Sequence, residues 1–75
     1  MKDTKIIIGE WLKEKREERS LSLQQAANKI GVAKTTIYYW EKGKRSIYAD
    51  DLINYAKALG ADINELVDIA KNAKR

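Results

Sequence analysis

The chain has 75 residues, of which 44% are hydrophobic and 35% charged, and its formal net charge is +4. This length allows a single small domain, and the charge balance is that of a folded, mildly basic protein. Because the sequence holds no histidine and no cysteine, imidazole and thiol catalysis, zinc-finger ligand sets and disulfide bonds are excluded. We expect one domain over residues 1–75, with no cofactor and no metal.

The sequence contains no proline and only four glycines, so breaks between elements should be short and the remainder helical. No apolar run approaches the ~20 residues that span a bilayer, and no signal-peptide pattern is present. We therefore expect no membrane partner and a cytoplasmic location, in a bacterium or encoded by a phage or plasmid. No small-molecule ligand is expected, because so small a core leaves no room for a pocket.

Hydrophobic periodicity predicts five helices, and the first runs from about Ile6 to Glu18. Its inward positions are Ile8, Trp11 and Leu12. Ser22 followed by Gln25 is a capping-box pattern that opens a second helix, and Gly31 ends it. After a turn of about three residues, a third helix extends through Lys42.

Glycines and acidic residues mark the later boundaries. Gly43 closes the third helix, Gly60 closes the fourth, and an Asp62 to Glu65 spacing starts the fifth. Asp50 and Asp51 suit the first turn of the fourth helix. The inward faces predicted for the second, fourth and fifth helices are Leu23, Ala26, Ala27 and Ile30; Leu52, Tyr55, Ala56 and Leu59; and Ile63, Leu66, Val67 and Ala70.

The prediction is thus an all-α domain with a core over about residues 6–70 and short frayed termini. At the C-terminus the predicted fraying covers Lys71–Arg75. The positive charge is concentrated in its middle. Residues 20–48 carry five basic side chains against Glu41 alone, whereas basic and acidic residues nearly cancel in the flanking segments. A basic middle segment is a candidate surface for a polyanion, with a merely solvated face as the alternative.

The third helix has two different faces. At 100° per residue, Ala33, Ile37 and Trp40 form an apolar stripe, and Thr36 lies on the boundary. The opposite face holds Lys34, Thr35, Tyr38, Tyr39 and Lys42. Tyrosine hydroxyls and lysine suit the acceptors and thymine methyls of the DNA major groove. The alternative is that either tyrosine packs on a neighbouring helix.

The segment Gln24 to Gly43 closely resembles the helix-turn-helix unit of lambda-repressor-like, Xre and Cro-type DNA-binding domains. The resemblance extends over all five helices, roughly Ile8 to Ile69. The residues that carry it are Ala27, Gly31, Val32, Ile37, the run Glu41 to Lys44, the run Ala56 to Gly60, and the run Ile63 to Leu66. It implies a compact five-helix fold whose second and third helices form the helix-turn-helix.

The resemblance also implies a set of functional residues. The family's base-reading positions fall on Lys34, Thr35 and Tyr39, with Ala33 and Tyr38 beside them. Its DNA-backbone positions fall near Leu23 and on Gln24, Thr36, Lys42, Lys44 and Arg45. Arg16 and Glu41 stand where the family often places a structural ion pair.

Three residues depart from the family's pattern. Leu23 stands where many members carry a glutamine that touches phosphate, so that contact is lost or passes to Gln24. Ser20 replaces a glycine that commonly ends the first helix, at the cost of modest strain. Trp40 replaces an aliphatic core residue and enlarges the packing beneath the third helix.

We expect a sequence-specific regulator of transcription, a repressor, that binds double-stranded DNA at a palindromic operator as a homodimer. The expected dimer surface lies on the fifth helix, unless all of its apolar residues belong to the core: Ile63, Leu66, Val67, Ile69 and Ala70. The alternative function is an antitoxin or a protein-interaction adaptor on the same fold. Catalysis is not expected, because adjacent acids such as Asp50 and Asp51 diverge by 100° on a helix.

Overall fold

The computed structural model describes residues 3–73, which form five α-helices and no β-strand within that range. The helices are α1 (Thr4–Glu18), α2 (Leu23–Ile30), α3 (Lys34–Glu41), α4 (Ala49–Leu59) and α5 (Ile63–Ala73). The all-α prediction is confirmed. No helix in the described range is both long and apolar enough to cross a membrane.

The helix boundaries differ from the predictions by a few residues. Helix α1 begins earlier, at Thr4, because the Asp3 side chain caps it by accepting the Lys5 N–H at 2.8 Å. Helix α5 continues to Ala73. The chain is therefore helical at residues 71–73, where fraying was predicted. The rest of the predicted fraying, at residues 1–2 and 74–75, lies outside the described residues.

The capping signals of α2 and α4 act as predicted, whereas at the start of α5 Asp62 Oδ1 accepts the Asn64 N–H at 2.9 Å and the Glu65 side chain bonds Trp11 and Lys15 instead of completing a capping box. Ser22 Oγ accepts the Gln25 N–H at 3.0 Å, and Gln25 Oε1 accepts the Ser22 N–H at 2.8 Å, which completes a capping box. Gly31 and Gly60 end α2 and α4 in the left-handed conformation, with φ of 86° and 67°. Ser20, at φ 54°, also takes this conformation, and this agrees with the modest strain expected there.

The core lies where the inward faces of all five helices meet. Helix α1 packs against α3, α4 and α5, and α2 packs against α3 and α4. The buried apolar residues are Ile7, Trp11, Leu12, Ala26, Ala27, Ile37, Trp40, Tyr55, Ala56, Leu59 and Leu66. Ile8 is half-buried and packs against this core, and its neighbour Ile7, which was not predicted, is buried. Two assignments were wrong: Ala33 and Val67, both expected on inward faces, are exposed.

Polar contacts made by Tyr55 and Glu65 join α1 to the C-terminal helices. The Tyr55 hydroxyl donates to the Leu12 carbonyl at 2.9 Å, and burial raises the pKa of this phenol. Glu65 accepts the Trp11 indole N–H at 3.0 Å and pairs with Lys15 Nζ at 2.5 Å. The hydrogen bonds from Lys15 and Trp11 lower the pKa of the Glu65 carboxyl. These contacts hold α4 and α5 against the helix that also supports α3.

Candidate nucleic-acid interface

Helices α2 and α3 form a helix-turn-helix around a small, buried crossing point. Ala26 and Ala27 of α2 are fully buried, and so is Ile37 of α3, which allows the two helices to approach closely. Gly31 turns the chain, and the Val32 N–H then donates to the Ala27 carbonyl at 3.1 Å. Helix α3 begins two residues later, so the turn is three residues long, as predicted.

Helix α3 presents one polar face to solvent. All four residues expected to read bases, Lys34, Thr35, Tyr38 and Tyr39, are exposed there. The opposite side of α3 is fixed in the core by Ile37 and by Trp40, the unusually large residue at its position. The exposed face is therefore carried by a helix whose orientation is determined by packing.

The two tyrosines contact each other and two cations. Tyr38 and Tyr39 are 43% and 39% exposed, and their rings meet edge to face at 5.7 Å between centroids. Lys42 Nζ lies 5.5 Å from the Tyr38 centroid, and the Arg45 guanidinium lies 5.4 Å from that of Tyr39. We call these four residues the aromatic–cation ladder. The sequence showed its members but not their mutual contacts.

The residues expected to bind the DNA backbone surround this face. Gln24, Lys42, Lys44 and Arg45 are exposed, and Thr36 is half-buried. Gln24, at the start of α2, donates its side-chain Nε2–H to Asn28 Oδ1 at 2.9 Å. This bond does not use the Gln24 side-chain oxygen. The candidate backbone contacts thus lie at both ends of the helix-turn-helix, on either side of the candidate base-reading residues.

A Schellman motif holds the basic segment close to the end of α3. Gly43, at φ 71°, donates its N–H to the Trp40 carbonyl at 3.1 Å. The Lys44 N–H donates to the Tyr39 carbonyl at 3.0 Å. The motif reverses the chain direction directly after Lys42. As a result Lys44 and Arg45 follow the helix immediately instead of extending away from it.

Arg16 and Glu41 form the structural ion pair that the family resemblance implied. Arg16 Nε lies 2.7 Å from Glu41 Oε2, and a second guanidinium nitrogen lies 3.0 Å from Oε1. Arg16 also donates to the Leu21 carbonyl at 2.8 Å. The hydrogen bonds with Glu41 raise the pKa of the guanidinium. The pair connects α1 to the last residue of α3 and so orients the candidate reading helix.

Gly9 is a second support for α3, and the sequence reasoning missed it. An added Cβ there would lie 2.5 Å from the Trp40 carbonyl oxygen and 2.6 Å from that of Glu41. Only glycine therefore allows α1 to approach the end of α3 this closely. The available signal was a glycine inside a predicted helix, which lowers helix stability unless close packing requires it.

The proposed dimer surface on α5 needs one correction. Leu66 is only 3% exposed and belongs to the core of its own chain, so it is not available to a partner. Ile63 and Ala70 are half-buried, whereas Val67 and Ile69 are exposed. These last two side chains are two residues apart and therefore point about 200° apart around α5, so one partner surface cannot contact both. Val67 lies on the same side as Ile63 and Ala70.

Together the fold and the exposed face of α3 define a helix-turn-helix protein. The sequence profile of that family, described as helix-turn-helix, matches residues 12–66. The chain belongs to the lambda-repressor-like, Xre-type helix-turn-helix family of DNA-binding domains, which confirms the resemblance seen in the sequence. This family is a class of DNA-binding regulators and not an enzyme class.

The chain is also similar to a protein of Vibrio cholerae, the cryptic phage CTXphi transcriptional repressor RstR. The two are 39% identical over 56 residues, which covers 75% of this chain and 50% of the relative. The chain therefore spans about half the length of the relative that it matches.

Proposed function

We propose that this protein is a transcriptional repressor that binds specific sequences of double-stranded DNA. The observation that carries the proposal is the exposed face of α3, where candidate base-reading side chains lie beside exposed cations on a helix fixed by core packing. The similarity to a phage transcriptional repressor supports the same function. Such a protein acts where duplex DNA is, in the cytoplasm of a bacterial or phage-infected cell.

In this proposal α3 lies in the major groove. Lys34 suits guanine O6 and N7, and the tyrosine hydroxyls and Thr35 suit purine or pyrimidine acceptors. Gln24, Thr36, Lys42, Lys44 and Arg45 contact phosphates and determine the position of the helix along the duplex. The partly buried Arg16–Glu41 pair takes no part in DNA contact and keeps α3 at a fixed angle.

The two kinds of contact are separated by salt titration and by selection from a random duplex library. Lys44→Ala is expected to lower the slope of log affinity against log salt by ~0.9, the value for one phosphate contact, without changing the selected sequence. Tyr39→Ala and Thr35→Ala are expected to change the selected bases. Lys57→Ala, an exposed lysine on α4, is the control for general loss of charge.

Two results would contradict the assignment of this face. One is that Tyr39→Ala and the unaltered protein select the same sequences with equal strength. The other is that Lys57→Ala lowers the salt slope as much as Lys44→Ala does.

We further propose that two chains bind a palindromic operator. One α3 offers four candidate base-reading side chains, and each good contact discriminates by only ~1–3 kcal/mol. Two copies therefore supply the selectivity that a single domain lacks, with half-sites about one helical turn, ~34 Å, apart. In this proposal Val67, with the half-buried Ile63 and Ala70 on the same side of α5, is the centre of the surface between the two chains.

The dimer proposal is tested by stoichiometry on a selected palindrome. Fluorescence anisotropy is expected to give two chains per full site. Val67→Asp should weaken binding to the full site by about tenfold or more, a loss of at least ~1.4 kcal/mol, and leave binding to one half-site unchanged. Asn64→Asp, at an exposed position of α5, is the matched control. A stoichiometry of one chain per full site would refute the proposal.

A further inference from the structure

We infer that the rings of Tyr38 and Tyr39 position Lys42 and Arg45 for DNA phosphates, so that base reading and backbone binding are coupled through the aromatic–cation ladder. The inference rests on the proposed function and gives the two tyrosines a second role, as positioning residues. Its basis is that each ring has its own cation, at 5.5 Å and 5.4 Å from the respective centroid.

An exposed lysine or arginine is a flexible side chain with many rotamers, and ordering it on DNA opposes binding. A cation held over a ring before DNA arrives has already lost part of that freedom. The contact is electrostatic and uses no N–H as a hydrogen-bond donor. The guanidinium of Arg45 therefore keeps its five donors for a phosphate while the Tyr39 ring restrains it.

The backbone favours the same arrangement. Lys42 follows Tyr38 by four residues, which places the two on one side of the helix end. Arg45 lies beyond the reversal at Gly43, and its neighbour Lys44 donates its N–H to the carbonyl of Tyr39. The Schellman motif thus ties the segment that carries Arg45 to the residue whose ring Arg45 covers.

The two roles of each tyrosine use different parts of the side chain. Bases in an intact duplex are stacked on one another and present only their edges in the major groove. A tyrosine there contacts DNA with its hydroxyl and ring edge, and the ring face is not needed for stacking. The face is thus available to hold a cation while the hydroxyl reaches a base.

A double-mutant cycle on a duplex of unrelated sequence tests this coupling, since base reading contributes little there. Arg45→Ala should weaken binding of the unaltered protein, and the loss should be about two- to fivefold smaller in a Tyr39→Leu background. Tyr39→Phe is the matched control, because it removes the hydroxyl and keeps the ring. In that background Arg45→Ala should have its full effect.

The free protein supplies an independent measurement. Ring currents of Tyr39 should shift the side-chain proton resonances of Arg45 upfield in the NMR spectrum. The shift should persist in Tyr39→Phe and disappear in Tyr39→Leu, while the resonances of the core residues stay unchanged. This measurement does not depend on DNA.

The outcomes separate the inference from the proposed function. If the losses from Tyr39→Leu and Arg45→Ala combine multiplicatively, or if the Arg45 shift is the same in Tyr39→Leu, the inference is wrong although the protein still binds duplex DNA. If the unaltered protein shows the shift but binds no duplex, the proposed function is wrong, and the coupling to phosphates is wrong with it.

Discussion

Replacing Gly9 with alanine is expected to destabilise the fold by about 1–3 kcal/mol, the usual effect of an atom added to a filled space. The added Cβ would meet the carbonyl oxygens of Trp40 and Glu41 at 2.5 Å and 2.6 Å. These are backbone atoms at the end of α3 and cannot rotate away, so α1 and α3 must separate. Because α3 then loses its orientation, we also expect weaker and less selective DNA binding.

The sign of this effect makes the test decisive. Helix propensity alone predicts that alanine stabilises α1 by up to ~1 kcal/mol, since glycine is the poorer helix former. Chemical denaturation and the melting temperature distinguish the two, because ~1 kcal/mol corresponds to about 4–8 °C in a domain of this size. A melting temperature that rises would show that the close approach at Gly9 does not exist.

Gly60→Ala is the matched control for this prediction. Gly60 lies at φ 67° with no other group within 4 Å of an added Cβ. Alanine there introduces backbone strain of roughly 1 kcal/mol but no clash with α3. It should therefore lower stability and leave the affinity of the folded protein for DNA unchanged.

Removing the Glu41 carboxylate is expected to have a still larger effect on stability. The Arg16 side chain is 12% exposed beside Glu41, and in Glu41→Ala it loses both of its bonds to the carboxylate. Breaking a buried pair in this way destabilises proteins by about 3–5 kcal/mol. Total stabilities are only ~5–15 kcal/mol, so a large share of the folded state's stability should be lost.

The pair is tested by a double-mutant cycle with apolar replacements. Arg16→Met with Glu41→Leu leaves no buried charge, so its loss should be clearly smaller than the sum of the two single losses. Denaturant unfolding of the four proteins gives the coupling energy. Single losses below ~1 kcal/mol that simply add would show instead that the pair behaves like an exposed surface pair.

Much of the helical organisation was predictable because its signals are local. Ser22 and Gln25 satisfy each other's backbone within one helical turn, and Gly31, Gly43 and Gly60 take the left-handed conformation at helix ends that their position suggested. The two faces of α3 followed from its periodicity alone. The exception was Ala33, which the helical wheel placed on the apolar side, although it precedes the helix as its N-cap.

The Arg16–Glu41 pair was foreseen for a different reason. Its members are 25 residues apart, and no periodicity connects positions on separate helices. Only the family resemblance suggested that they meet. In the same way, Leu66 was included in a dimer surface because a hydrophobic stripe on α5 does not reveal how much of it the chain's own core covers.

The amino-acid sequence by itself determined the number of helices, most of their ends, the basic middle segment and the side chains on the exposed face of α3. The helix ends and the exposed face depend on residues within one or two turns of each other, and the basic segment only on the order of charges along the chain. Only the tertiary structure decided that Gly9 contacts the end of α3 and that Glu65 bonds Trp11 and Lys15. The same is true of the contact between the Arg45 guanidinium and the Tyr39 ring. These contacts depend on how helices and loops pack in space. The distance between two residues on separate elements cannot be predicted from their spacing along the chain.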